Sequence, residues 1–146
     1  MTAMSTVVAN LDESGYGALI QTPSLHPGMF SVLMPWVSGI DIKMRMCKFS
    51  RTAHIFALAR DHGSGEVISQ SKIQYKMTGT DQENLQRGLE KVLRILAAAE
   101  AEEIGTHHRN GKKINVTRLS SCEFEKFVKE ESGRAFDADL FGTPDG

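Results

Sequence analysis

The period of apolar and polar residues changes several times along the chain, and each change predicts an element. Residues 16–21 are a short apolar run that reads as a strand. Residues 22–28 carry Pro23 and Pro27, so a loop follows. Residues 29–36 are nearly continuously apolar and end at Pro35-Trp36, a pattern that fits a short buried helix. Ser38 suits an N-cap, with Ile42, Met46 and Phe49 at helical spacing behind it. Residues 51–61 read as a strand in which Ile55, Ala57 and Ala59 alternate with His54, Phe56 and Leu58. Apolar groups on both sides predict a strand covered on two faces. After the turn His62-Gly63-Ser64-Gly65, two strands follow at 66–69 and 72–77. The second has Ile73, Tyr75 and Met77 on one half-buried face.

The strongest helix signal comes next. Thr80 and Glu83 have capping-box spacing, and Leu85, Leu89, Val92, Leu93 and Leu96 form one stripe. Gly88 interrupts that helix at a cost of roughly 1 kcal/mol relative to alanine, so it is expected to mark a close approach to the sheet. Residues 104–108 and 112–116 flank Arg109-Asn110-Gly111, a hairpin signal because Asn-Gly tolerates positive φ. Ser120 and Glu123 form a second capping box before Phe124, Phe127 and Val128, and Gly133 sits where a C′ residue would close that helix. The sum is an α+β layout, a mostly antiparallel sheet with flanking helices. Residues 1–14 are expected to be irregular, 15–132 to form the domain and 133–146 to be a loose tail.

Composition adds limits. The chain has 146 residues, room for one domain with a real core and not for two. Net charge is −1, so nothing global favours a polyanionic partner, and no nucleic-acid partner is expected. No apolar run approaches the roughly 18 to 20 residues that a membrane span needs. The first ten residues lack the basic and apolar segments of a secretory signal. Cys47 and Cys122 fit no metal pattern and suit a reducing compartment.

Candidate chemistry is sparse. Gly63-Ser64-Gly65 and Gly15-Tyr16-Gly17 are each followed by isoleucine where a dinucleotide loop requires a small residue, and neither opens a helix after a strand. His107 and His108 are adjacent and point to opposite faces of a strand, while His26, His54 and His62 are isolated, so no metal site is expected. Cys122, near a helix N-terminus, has no local base. The basic group His107, His108, Arg109, Lys112, Lys113 and Arg118 suits phosphate or an anionic membrane surface, but a solvated hairpin tip accounts for it more simply. Met29, Phe30, Met34, Trp36, Met44 and Met46 suit either ordinary core or a wide alkyl pocket.

Several stretches taken together resemble one family. Residues 28–36, Ser38-Gly39-Ile40-Asp41 and residues 48–56 are similar to the plant-type long-chain fatty alcohol oxidases of the glucose–methanol–choline oxidoreductase family. So are residues 60–65, 80–99 and 101–107, and Asn110-Gly111. The resemblance implies an FAD-dependent enzyme that oxidises a long-chain alcohol to an aldehyde and passes electrons to oxygen, giving hydrogen peroxide. It implies that residues 15–132 are part of the substrate-side domain, that the parent is membrane-associated and intracellular, and that the remainder of the flavoprotein chain is the partner. The family's glycine-rich flavin segment and histidine base have no counterpart here, so no catalytic or cofactor-binding residue is carried over. Glu100 stands where the family has a glycine closing the long helix. Trp36, Phe56 and Leu58 are the expected substrate-facing residues. The chain by itself is expected to be inactive. A non-catalytic lipid- or partner-binding module is the alternative.

Overall fold

The computed structural model describes residues 2–9 at the level of the backbone, and 17–70, 72–108, 110 and 112–134 in full. It has the expected α+β make-up. Among the described residues three separate antiparallel sheets are joined by four helices. β1 (Thr2–Ala9), β2 (Gly17–Pro23) and β3 (Phe56–Ala59) form the first sheet in that spatial order. The expectation of an irregular start is corrected here: Thr2–Ala9 pairs with β2 along its whole length, with a bulge between Met4 and Thr6. The rest of that segment, and the tail from 135, lie outside the described residues.

Between β2 and β3 lie α1 (Pro27–Leu33), α2 (Gly39–Cys47) and a single 3-10 turn, Phe49–Arg51. Ser38 caps α2 as expected, its hydroxyl accepting from the Asp41 N–H at 3.1 Å. α1 starts earlier than its apolar run, because Pro27 occupies the first turn and the His26 ring accepts from Gly28 N–H. It is not the buried helix that its composition suggested. Only Phe30 is enclosed, while Met29, Val32 and Leu33 face outward.

β3 is shorter than the alternation predicted, and it is not covered on two faces. Ala57 and Ala59, paired with Ile20 and Ala18, look toward a helix, whereas Phe56 and Leu58 remain 36% and 51% exposed. The helix is α3 (Gly79–Ala98). A Cβ on Gly88 would lie 2.7 Å from the Ala57 Cβ and 2.9 Å from the Ala18 Cβ. The glycine therefore lets the helix rest directly on alanines of the sheet, as its interruption of the stripe implied. The opposite side of α3 builds a second core. Leu93 packs with Ile104, Phe127 and Val128, joined by Leu89, Leu96, Ile114 and Phe124. These come from the hairpin of β6 (Glu103–Gly105) and β7 (Lys113–Asn115) and from α4 (Ser121–Arg134). The capping box at Ser120 and Glu123 opens α4 as predicted. Gly133 does not close it. Glu131 and Ser132 are buried and bonded to Thr106 and Glu90, so the last turn stays anchored and helical.

β4 (Ser64–Ser69) and β5 (Lys72–Lys76) form a two-stranded ribbon that stands apart. The half-buried face expected for β5 is absent, since both strands are exposed throughout and Val67 and Ile73 pair in solvent. Asp81 roots this ribbon. The box that starts α3 is set by Thr78 and Asp81, not by Thr80 and Glu83. The Asp81 carboxylate, 1% exposed, accepts from the backbone N–H groups of Thr78 at 2.9 Å, His62 at 2.8 Å and Gly63 at 2.9 Å. One side chain thus caps the helix and holds the start of the ribbon. Burial opposes ionisation, but the N–H donors of His62, Thr78 and Gly63 and the Thr78 hydroxyl outweigh it. They hold the carboxyl well below the usual aspartate range. A Cβ on Gly63 would fall 2.3 Å from the Lys76 carbonyl oxygen, which is why glycine is needed beside the knot.

The C-terminus of α3 closes in a Schellman turn. Ala101 N–H donates to Leu96 O and Glu100 N–H to Ala97 O. Glu100 takes the left-handed conformation, with φ of 59°, a region that favours glycine.

Three predictions follow from these contacts. Glu100→Gly relieves the positive φ and is expected to stabilise the fold by about 0.5 to 1 kcal/mol, read from the denaturant midpoint. Gly88→Val forces α3 off the sheet and is expected to cost about 2 to 4 kcal/mol in the same measurement. Asp81→Asn places an amide N–H among backbone donors and should lower the melting temperature. Because the folded carboxyl titrates below the unfolded 3.8, its contribution is complete above that pH and is lost as pH falls beneath it. Melts across acid pH should therefore show a shallower acid dependence in Asp81→Asn than in the parent. An unchanged acid slope would refute the role given to this carboxylate.

Candidate functional site

The three residues expected to face substrate are all accessible, on two different elements. Phe56 and Leu58 occupy the sheet face turned away from α3, with Leu19 opposite Leu58 and Gln21 opposite Phe56 in register. Trp36 is 71% exposed in the connection between α1 and α2. The sheet's outer face thus carries apolar side chains that are only partly covered, with Leu58 51% and Phe56 36% exposed. Alternation along β3 marked both faces as apolar but predicted both to be covered. What alternation missed was which of the two apolar faces is covered.

His54, isolated in sequence, comes together with His107. The His54 and His107 rings have centroids 5.0 Å apart, and His54 meets the edge of Phe30 at 4.9 Å. Phe30 in turn meets Phe49 at 5.1 Å. The His107 Nδ1 lies 2.6 Å from the Leu33 carbonyl, so the tautomer with hydrogen on Nδ1 donates to it and ties the end of α1 to the β6–β7 hairpin. Burial first, and the neighbouring His107 second, push the His54 imidazole below its ordinary value, favouring the neutral ring at neutral pH. This junction anchors α1. No local spacing could have announced it, because its members are separated by tens of residues. Among the described residues no three His, Cys, Asp or Glu side chains converge as metal ligands.

The basic hairpin is largely neutralised from within. Lys112 Nζ lies 2.7 Å from Glu130 and 3.7 Å from Glu131, and it also stands over the Phe127 ring. Lys113 pairs with Glu103 at 3.2 Å. Arg109 lies outside the described residues. The lysines that made an anion-binding reading attractive already have carboxylate partners. Cys122 is exposed on the first turn of α4.

The glycine-rich segment at 63–65 does not fit the phosphates of a flavin dinucleotide. The N–H groups of His62 and Gly63 are already donated to Asp81. Gly65 serves a close cross-strand approach, since a Cβ there would lie 2.7 Å from the Gln74 carbonyl. A phosphate cradle needs such N–H groups free and converging at a helix N-terminus. Pro27 and the capped starts of α2 and α3 offer no such loop. No helix among the described residues is long and apolar enough to cross a membrane.

No protein-family model and no solved structure matches the chain. Curated proteins do. Long-chain-alcohol oxidase FAO4A of Arabidopsis thaliana is 58% identical over 135 residues, covering 92% of this chain and 19% of the relative. Long-chain-alcohol oxidase FAO3 of the same plant is 46% identical over 136 residues, covering 91% of this chain and 18% of the relative. Long-chain-alcohol oxidase FAO1 is 43% identical over 118 residues, covering 81% of this chain and 15% of the relative. The chain spans about a fifth or less of the length of these relatives. It is similar, over most of its own length, to one stretch of the long-chain-alcohol oxidases.

Proposed function

We propose that this chain serves as substrate-side structure in an FAD-dependent long-chain-alcohol oxidase of the glucose–methanol–choline type, with residues 15–132 as part of the substrate domain. The observation that carries the reading is the 58% identity with an oxidase over 92% of this chain. The open apolar strip of Leu19, Phe56 and Leu58 supports it. Such a strip has no role in a free-standing core and suits an alkyl chain or the surface that encloses one. The Asn84 amide nitrogen, buried without an acceptor among the described residues, also suits a chain that continues into further structure. In this reading the overall reaction takes a long-chain alcohol and oxygen to a long-chain aldehyde and hydrogen peroxide. The residues that bind flavin and move the alcohol proton belong elsewhere in the longer polypeptide. This stretch contributes apolar surface and the rigid α3 platform behind it.

The test is a chimera in which these residues replace the matching stretch of the Arabidopsis oxidase FAO4A. The expected chimera loads flavin and releases peroxide with long-chain alcohols, while the 146-residue chain alone does neither. Within the chimera, Trp36→Ser and the double change Phe56→Ser with Leu58→Ser are expected to raise KM for long-chain alcohols by roughly tenfold. Short alcohols should be affected far less. A folded, flavin-loaded chimera that makes no peroxide, or chain-length preference untouched by these substitutions, would refute the proposal.

A further inference from the structure

α1 is fixed to the rest of the molecule through Phe30 and through the Leu33 carbonyl, and an imidazole ring stands at each. Phe30, the buried residue of the helix, meets Phe49 at 5.1 Å and His54 at 4.9 Å, edge to face in both cases. The Leu33 carbonyl lies 2.6 Å from His107 Nδ1. The two imidazoles then meet each other, with centroids 5.0 Å apart and planes tilted by 45°. The contacts therefore run from Phe30 through His54 and His107 back to the end of the same helix. His54 is half-buried and His107 exposed.

We propose that the His54–His107 pair is an acid-sensitive latch on α1: the neutral rings hold the helix against the 3-10 turn and the β6–β7 hairpin, and protonation of His54 releases it. The inference stands on this junction alone and does not rest on the oxidase reading. A neutral His54 fits against the edge of Phe30, whereas a charged ring there would lose water beside an aromatic side chain and a second imidazole. The neighbouring elements supply no counter-ion. Residues 27–33 carry no charged side chain, and the 3-10 turn brings Arg51, with Lys48 before it. Lys48 and Lys113 share Glu103. The hairpin brings His107, His108 and Lys112. Glu131, bonded to Thr106 next to His107, is turned to Lys112 and Arg134. No carboxylate pairs with either ring of the latch among the described residues. His107 keeps its Nδ1 hydrogen whether neutral or charged, so its bond to Leu33 survives its own protonation, and His54 is the sensitive member.

The direction of the response follows from linkage. Burial first, and His107 second, hold His54 below its ordinary 6.5, and a released α1 returns the ring to water. The open form therefore binds the proton more tightly. The latch is fully closed above pH 6.5, opens increasingly as pH falls through that value, and changes no further beneath the lowered value of the closed form. Asp81 does not enter this window, because its contribution is lost only below 3.8.

Amide hydrogen exchange, corrected for the intrinsic pH dependence of exchange, reads the latch at Phe30 and Met34, whose N–H groups donate to His26 O and Phe30 O. It is measured on the 146-residue chain and on the chimera described above. Between about pH 7.5 and about pH 5, protection at these amides is expected to fall roughly three- to tenfold, the reach of one titrating group, while α3 around Val92 and Leu93 holds. His54→Phe keeps an aromatic ring against Phe30 and should abolish the fall. His107→Asn keeps an N–H for the Leu33 carbonyl and should lessen it, since burial of His54 remains. The His54 ring signals should titrate with a midpoint below 6.5. Protection in α1 that is flat with pH, a fall that persists in His54→Phe, an equal fall in α3, or a His54 midpoint at or above 6.5 would each overturn the latch.

Discussion

Helix α3 is buried from two directions, and the remainder of the structure is arranged around that fact. On one side Gly88 lets its backbone rest on Ala18 and Ala57 of the first sheet. On the other, Leu93 enters the cluster of Ile104, Phe127 and Val128. A helix in such a position cannot present one wide apolar stripe. It needs a small residue where the sheet comes close and large ones where α4 and the hairpin pack. The first turn of the same helix carries Asp81, whose carboxylate fixes the entry to the β4–β5 ribbon. Its last turn ends in a Schellman closure that directs the chain into β6. Displacing α3 would therefore uncouple all three sheets.

The surface follows from the same economy of burial. Small residues at Ala18, Ala57 and Ala59 face α3, so the larger Phe56 and Leu58 are left on the outer side of the sheet. α1 contributes only Phe30 to the interior, through its contacts with Phe49 and His54, and α2 contributes no fully buried side chain. Two apolar surfaces result. The sheet strip suits an alkyl chain or further protein. The α2 face has Lys43 and Arg51 beside it. Charges on the hairpin are paired with Glu103, Glu130 and Glu131 and add little to either surface.

Much of this was determined by the sequence itself, wherever the deciding interaction is local. Ser38 before α2, the Ser120 and Glu123 box before α4, the antiparallel hairpin expected from 104–108 and 112–116 and found shorter at 103–105 and 113–115, and the meaning of Gly88 all depend on residues a few positions apart or on the steric uniqueness of glycine. The α+β class and the similarity to one stretch of the long-chain-alcohol oxidases were legible for the same reason, since both are properties of the ordered string. Tertiary structure alone decided the rest. Thr78 took the cap from Thr80 because Asp81 could also bind His62 and Gly63, which lie far back in the chain. Gly133 stayed helical because Glu131 and Ser132 found partners on other elements. The pairing of His54 with His107, and the choice of Ala57 over Phe56 for the covered side of β3, were likewise settled by packing. Alternation names two faces of a strand but not the one that is covered, and burial depends on neighbours that the local sequence does not specify.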